Sequence, residues 1–161
     1  MRNFAFIFAR GGSKGLPKKN IKLLAGKPLI QYSIDIALAS PLIEHVFVST
    51  DDKEIANCAK NCGAIIINRP PELATDDSPE WLSWRHAIEW VLEHYGHFDE
   101  FISLPATSPL RNLEDIEVAI KKRRQTNADI CIAITPASRS PYFNMVKYND
   151  LGLIELVNKP E

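Results

Sequence analysis

Phe4 to Ala9 (FAFIFA) is an unbroken apolar run that ends directly in the glycine-rich stretch ARGGSKG at 9–15. Six apolar residues closed by glycines read as a strand buried on both faces, which requires a layer of structure on each side. The chain supplies those layers by alternation. His45 to Ser49, Ala64 to Asn68, Phe101 to Leu104 and Asp129 to Thr135 read as further strands. Pro28 to Ser40 reads as a helix, with Leu29, Ile30, Ser33, Ile36 and Ala37 on one side. Thr50-Asp51-Asp52 caps a second helix over about 52–61, ended by Gly63. Ser78-Pro79-Glu80 opens a third that runs to about Tyr95 and Gly96, and Leu113 to Arg124 forms a fourth. Tyr142 to Tyr148 and Leu153 to Val157 read as a hairpin around 149–152. This order implies a three-layer, Rossmann-like α/β fold with a mostly parallel sheet, as one domain over 1–161.

Composition narrows the function classes. Among 161 residues the formal net charge is −1, which argues against a nucleic-acid binder or a polybasic membrane binder. The balance hides an asymmetry. Residues 1–34 lack Asp and Glu but hold Arg2, Arg10, Lys14, Lys18, Lys19, Lys22 and Lys27, so they carry +7 and the remainder −8. No apolar run is long enough for a membrane span, and no cleavage signal follows the first strand. Cys58, Cys62 and Cys131 suit reduced thiols, and no second His or Cys pair completes a zinc site. The expected location is the cytoplasm.

In an open α/β sheet, ligands bind beyond the carboxyl ends of the strands. Arg10-Gly11-Gly12-Ser13-Lys14-Gly15, then Lys18, Lys19 and Asn20, follow the first strand. Arg69 follows the third, and Thr107, Ser108 and Arg111 follow the fourth. Cations meeting small hydroxyl residues at one rim suit a phosphate-bearing ligand. The loop is not a phosphate-binding Walker loop, because Lys14 lies two residues after Gly12 with no closing Lys-Ser/Thr pair. Nor does it have the G-x-G-x-x-G spacing of a dinucleotide site. Gly12 to Gly15 matches the GxxG of RNA-binding KH domains, but the surrounding strands do not support that fold. Against a plain turn with solvated lysines stands the unbroken positive charge. Gly11 and Gly12 let backbone N–H groups approach phosphate oxygens, while Arg10 and Lys14 add charge-assisted bonds. A triphosphate fits this description.

These residues also carry a resemblance. ARGGSKGLPKKN at 9–20 resembles the signature of the acylneuraminate (CMP-sialic acid) cytidylyltransferases. VSTDDKEIA at 48–56, NRPPELATDDS at 68–78 and ATSPLR at 106–111 follow in the family's order. CMP-Kdo synthetases resemble the chain more weakly, and RSPYFNMV at 139–146 looks more like relatives acting on legionaminic-type acids. The resemblance implies a nucleotidyltransferase fold and a homodimer. It also implies a magnesium-dependent reaction of CTP with a nine-carbon sugar acid to give a CMP-sugar and pyrophosphate. It casts Arg10, Lys14 and Lys19 as catalytic. Arg10 and Lys19 would engage the triphosphate, with Ser13 and Lys14 at the α-phosphate. Asn20, Arg69 and Ser78 would hold the cytidine, and Thr107 and Ser108 would begin the sugar-acid side.

Two departures accompany it. Pro105 stands where many family members have a sugar-contacting Gln, which bears on the identity of the sugar. The family's metal-binding aspartate pair lies beyond the equivalent of residue 161, so the metal ligands are unknown and the chain reads as an incomplete segment of an active enzyme. Other features have plainer readings. Trp81, Trp84, Ile88, Val91 and Tyr95 follow helical spacing as a core stripe, with Trp90 off it. Lys121-Lys122-Arg123-Arg124 suits a solvated helix terminus. Asp51 and Asp52 suit a helix cap, Asp76 and Asp77 have no assigned role, and none of the four histidines is assigned to catalysis.

Overall fold

The first strand sorts its side chains by size. In the computed structural model, which describes residues 1–136, 139–141 and 145–158, β1 (Asn3–Phe8) turns Phe4, Phe6 and Phe8 to one face of the sheet. Ala5 and Ile7, with Ala9 just beyond, face the other way. The remaining elements are β2 (Leu23–Leu24), β3 (Lys27–Pro28), α1 (Leu29–Ala39), β4 (His45–Thr50) and α2 (Lys53–Asn61). They continue with β5 (Ile65–Asn68), α3 (Glu80–Tyr95), β6 (Glu100–Ser103), α4 (Leu113–Thr126), β7 (Val146–Tyr148) and β8 (Ile154–Leu156). Short 3-10 turns cover Lys19–Ile21 and Pro71–Leu73.

The central sheet has the order β5-β4-β1-β6, and all three of its pairings are parallel. Its aliphatic face packs Ile30, Ile34 and Ala37 of α1, Ile55 and Ala59 of α2, and Ile116 and Ile120 of α4. The aromatic face packs Ala87 and Val91 of α3 against Phe4, Phe6 and Phe47. Small residues on the helix meet large rings on the sheet, with Phe6 and Phe101 centroids 4.5 Å apart. The fold class expected from the sequence is therefore present, with helices on both faces of a parallel sheet. α1 and α2 carry the chain toward one edge over the aliphatic face, and α3 carries it back over the aromatic face to β6 on the other side of β1. The winding reverses between β1 and β6, where such sheets form a crevice.

The chain divides into two compact units, residues 1–121 and 122–161. In the second, β7 and β8 form the hairpin, shorter than its sequence reading, with Gly152 at φ +72°. Tyr142, where the hairpin reading begins, lies outside the described residues, as do 143–144 of the RSPYFNMV stretch and 159–161.

Three expectations need correction. Asp129 to Thr135 forms no strand, and Ile130, Ile132 and Ile134 are exposed. Alternating apolar residues make a strand only when a partner completes the ladder, and none pairs with this stretch among the described residues. The α3 stripe also shifts. Ser83, Ala87 and Val91 are its buried line, Trp81 is 52% exposed beneath the Arg85 guanidinium, and Trp90 packs edge-on to Phe47. On α1 the buried set is Ile30, Ser33, Ile34 and Ala37, so Ile34 replaces Leu29 and Ile36 at its centre. No helix of the described residues is long and apolar enough to cross a membrane.

Candidate functional site

Because the four central strands are parallel, their carboxyl ends share one rim. There the loop after β1 is fixed from three directions. Ala9 donates its N–H to Ser49 O (3.0 Å), and Asn20 Nδ2, buried, donates to Arg10 O (3.1 Å). Gly11 N–H donates to Asp51 Oδ1 (3.0 Å). Asp52, the N-cap of α2, accepts the N–H groups of Glu54 and Ile55 on Oδ1, so of the pair expected to cap the helix Asp52 does so, while Asp51 holds the β1 loop. A Cβ at Gly11 would lie 2.7 Å from Asp52 Oδ2, whereas one at Gly12 or Gly15 would meet open space.

The second wall comes from the segment between β5 and α3. Arg10 Nη1 donates to Thr75 O (2.8 Å), and Arg10 Nη2 pairs with Asp76 Oδ1 (2.7 Å). Lys14 Nζ pairs with the other oxygen, Asp76 Oδ2. The Lys14 hydrogen bond, with Arg10 adding to it, holds the Asp76 carboxyl below the usual carboxylate range. Between the walls lies a cavity of about 670 Å³, lined by 11–14, Pro17, Lys18, Asp52 and 74–77. Lys18, at φ +54°, pairs with Glu54 (2.6 Å) at its edge.

The structure thus gathers Gly11, Gly12, Ser13 and Lys14 around one cavity, with Arg10 behind Asp76. Lys19 and Asn20 follow in the 3-10 turn, where Lys19 is half-buried and makes no ion pair among the described residues. Arg69 stands apart from the lining. Its Nε donates to Ser49 Oγ (3.2 Å) and its Nη2 to Ser49 O (2.8 Å), with the guanidinium over the Phe8 ring. Burial pushes its pKa down, opposed by Asp51 and Glu80. Ser78 is outside the lining as well, and its Oγ is shielded without a hydrogen-bond partner among the described residues. Thr107 and Ser108 lie exposed after β6. Nearby, Pro105 O accepts from both Ser33 Oγ (3.1 Å) and Arg111 Nη2 (2.9 Å), and the buried Arg111 Nη1 has no partner among the described residues.

Sequence reasoning left Asp76 and Thr75 without a role, although they line the cavity and hold Arg10 and Lys14. The acid-free N-terminus was the available signal. Arg2, Arg10, Lys14, Lys18 and Lys27 find carboxylates at Glu44, Asp76, Glu54 and Asp35, all beyond residue 34. For magnesium, no group of three or more His, Cys, Asp or Glu is disposed around an ion among the described residues. Asp52 is engaged as a cap and Asp76 by two cations, so these residues as placed do not fit a metal.

A parallel, doubly wound sheet with a glycine-rich basic loop at its carboxyl rim defines a nucleotide-binding class of α/β protein. The comparisons sharpen this class. Residues 4–145 match the cytidylyltransferase family, and the chain belongs to it. It is 40% identical over 146 residues to the CMP-N,N'-diacetyllegionaminic acid synthase of Legionella pneumophila, covering 88% of this chain and 61% of that protein. It is 39% identical over 146 residues to post-translational flagellin modification protein B of Campylobacter coli, covering 89% and 62%. An N-acylneuraminate cytidylyltransferase of Escherichia coli is 37% identical over 137 residues, covering 85% and 32%. The chain therefore spans about three fifths of the first two and a third of the last. Among solved structures, it is similar to a CMP:2-keto-3-deoxy-manno-octonic acid synthetase complexed with CTP. That likeness has a TM-score of 0.65 and 26% identity, covering 80% of this chain and 49% of the other.

Proposed function

We propose that the protein takes part in transferring the cytidylyl group of CTP to a sialic acid, either N-acylneuraminate or a bacterial analogue. The observation that carries this reading is the basic loop after β1 lining an open cleft at the carboxyl rim of the sheet, in a chain whose relatives include CMP-nonulosonate synthases. The anomeric hydroxyl oxygen of the sugar acid forms the new bond to the α-phosphorus. The bond from that phosphorus to the bridging oxygen breaks, pyrophosphate leaves, and the hydroxyl proton passes to solvent. Little covalent chemistry is asked of the protein, so alignment and neutralisation of phosphate charge carry the acceleration.

In this reading Arg10, Lys14 and Lys19 neutralise the triphosphate, and Ser13 with the N–H of Gly12 contacts phosphate oxygens. Gly11 N–H is occupied by Asp51, so Gly11 serves by its lack of a side chain. Asn20 acts by holding the Arg10 carbonyl, and Arg69 by its grip on the end of β4. The unpartnered Ser78 Oγ is a ready hydrogen-bonding group for the cytidine. Thr107 and Ser108 begin the sugar-acid side. Magnesium dependence, a homodimer and a cytoplasmic location belong to the same proposal and rest on the resemblance alone.

Pyrophosphate release tests it, with CTP, UTP, ATP and GTP crossed against N-acetylneuraminate, legionaminic-type and pseudaminic-type acids and Kdo. Release with CTP and a nine-carbon acid is expected. Release only with Kdo would replace the sugar, as the similarity to the octonic acid synthetase allows. CTP binding without release for any acid would reduce the protein to a nucleotide-binding module.

A further inference from the structure

The proposed triphosphate loop is already neutralised from within. Asp76 offers one carboxylate oxygen to Arg10 Nη2 and the other to Lys14 Nζ. Two oxygens of one phosphate group would meet the same two cations in the same way. The pairs are open to water, with side-chain exposures of 36% at Arg10, 37% at Asp76 and 83% at Lys14, and such pairs are weak and screened. Moreover, the Asp76 segment is held chiefly by these cations. Among the described residues, Thr75, Asp76 and Asp77 make no hydrogen bond to the rest of the chain except those to Arg10 and Lys14.

We propose that Asp76 is an internal phosphate mimic, a latch that closes the loop between Arg10 and Lys14 and must be displaced for a polyphosphate to enter. The inference rests on the nucleotide reading above and adds a selection rule to it. A ligand must bring enough negative charge to outcompete a carboxylate at both cations. A polyphosphate meets that requirement, and an uncharged nucleoside does not. Displacement also frees 75–77, because the same two cations are its anchors. The alternative role for Asp76 is a tether that pre-positions Arg10 and Lys14, and the two roles predict opposite signs.

The test is titration calorimetry of CTP and of inorganic tripolyphosphate, at one ionic strength, with the native protein, Asp76→Asn and Asp77→Asn. Asp77 lines the same cavity and carries the same charge but pairs with neither cation. Its variant therefore measures the effect of charge alone. All three proteins are expected to unfold at similar temperatures, since both aspartates lie on an exposed loop. The latch predicts that Asp76→Asn tightens both ligands by about three- to tenfold, the worth of two exposed ion pairs, and by more than Asp77→Asn does. Native binding with unchanged or weaker binding in Asp76→Asn would overturn the latch and leave the nucleotide reading standing. An equal gain in both variants would likewise overturn it. If neither ligand binds the native protein or Asp76→Asn, the nucleotide reading fails and the latch fails with it.

Discussion

Gly11 and Asp52 stand closer than any side chain at position 11 would allow. A Cβ there would lie 2.7 Å from Asp52 Oδ2 and 2.9 Å from Asp52 Cβ. Asp52 cannot retreat freely, because its Oδ1 caps α2 through Glu54 and Ile55. The glycine is therefore demanded by packing between the β1 loop and the start of α2, not by a left-handed backbone. Gly11→Ala should displace the cap and cost about 1–2 kcal/mol in chemical denaturation, the usual worth of an N-cap. Gly12→Ala and Gly15→Ala, which meet open space, should each stay within about 0.5 kcal/mol, as surface changes do. Equal losses at all three positions would contradict this account.

Arg69 is tied to the end of β4 by two hydrogen bonds to Ser49, one to its hydroxyl and one to its carbonyl. Removing a largely buried guanidinium leaves both acceptors without that donor. Arg69→Ala should therefore destabilise the fold by roughly 1–3 kcal/mol and weaken CTP binding as the rim loosens. Arg69→Lys should not restore stability, because an ammonium lacks the planar fork that reaches both acceptors. Thermal unfolding and CTP titration of the two variants check this, and full recovery in the lysine variant would refute the positional argument.

Local grammar made most of the sheet and helices legible. FAFIFA, the Asp52 cap and the glycines at 63 and 96 mark β1, the start of α2, and the ends of α2 and α3. What the sequence could not reveal is non-local. Asp129 to Thr135 has strand periodicity, yet periodicity reports which residues favour burial and not whether a ladder partner exists. The β2–β3 turn went unread because it places Ala25 at φ +48° before Gly26, where Asn or Asp is the usual signal. At the site, the loop residues 10–14 were visible as a motif. Their carboxylate partner Asp76 lies 66 residues beyond Arg10, and only the fold brings the two together.

Arg10 and Lys14 both join the β1 loop to the second wall through Asp76, and Arg10 also reaches Thr75 O. If Arg10 neutralises charge on the transferring phosphate, Arg10→Ala should lower turnover by roughly two to four decades, as loss of a preorganised electrostatic contact does. CTP affinity should fall far less, since the same substitution also releases Asp76 from one of its two partners. Pyrophosphate release measured beside CTP titration separates these effects. Normal turnover in Arg10→Ala would remove the residue from the reaction.

At the opposite rim, Arg2 Nε and Nη2 hold the Glu44 carboxylate, and Arg2 Nη1 reaches Tyr95 O (3.0 Å) and His97 O (2.8 Å). The Arg2 hydrogen bond holds the Glu44 carboxyl below its usual range. A depressed folded-state pKa stabilises the fold above the unfolded value, and that contribution fades as pH falls through the folded one. The native protein should therefore exceed Glu44→Gln in stability near neutrality, and the gap should shrink as pH drops through about 4 and below. Urea midpoints of both proteins across that interval read the effect directly. A gap that stays constant with pH would mean that the Arg2–Glu44 contact acts through packing and not through charge.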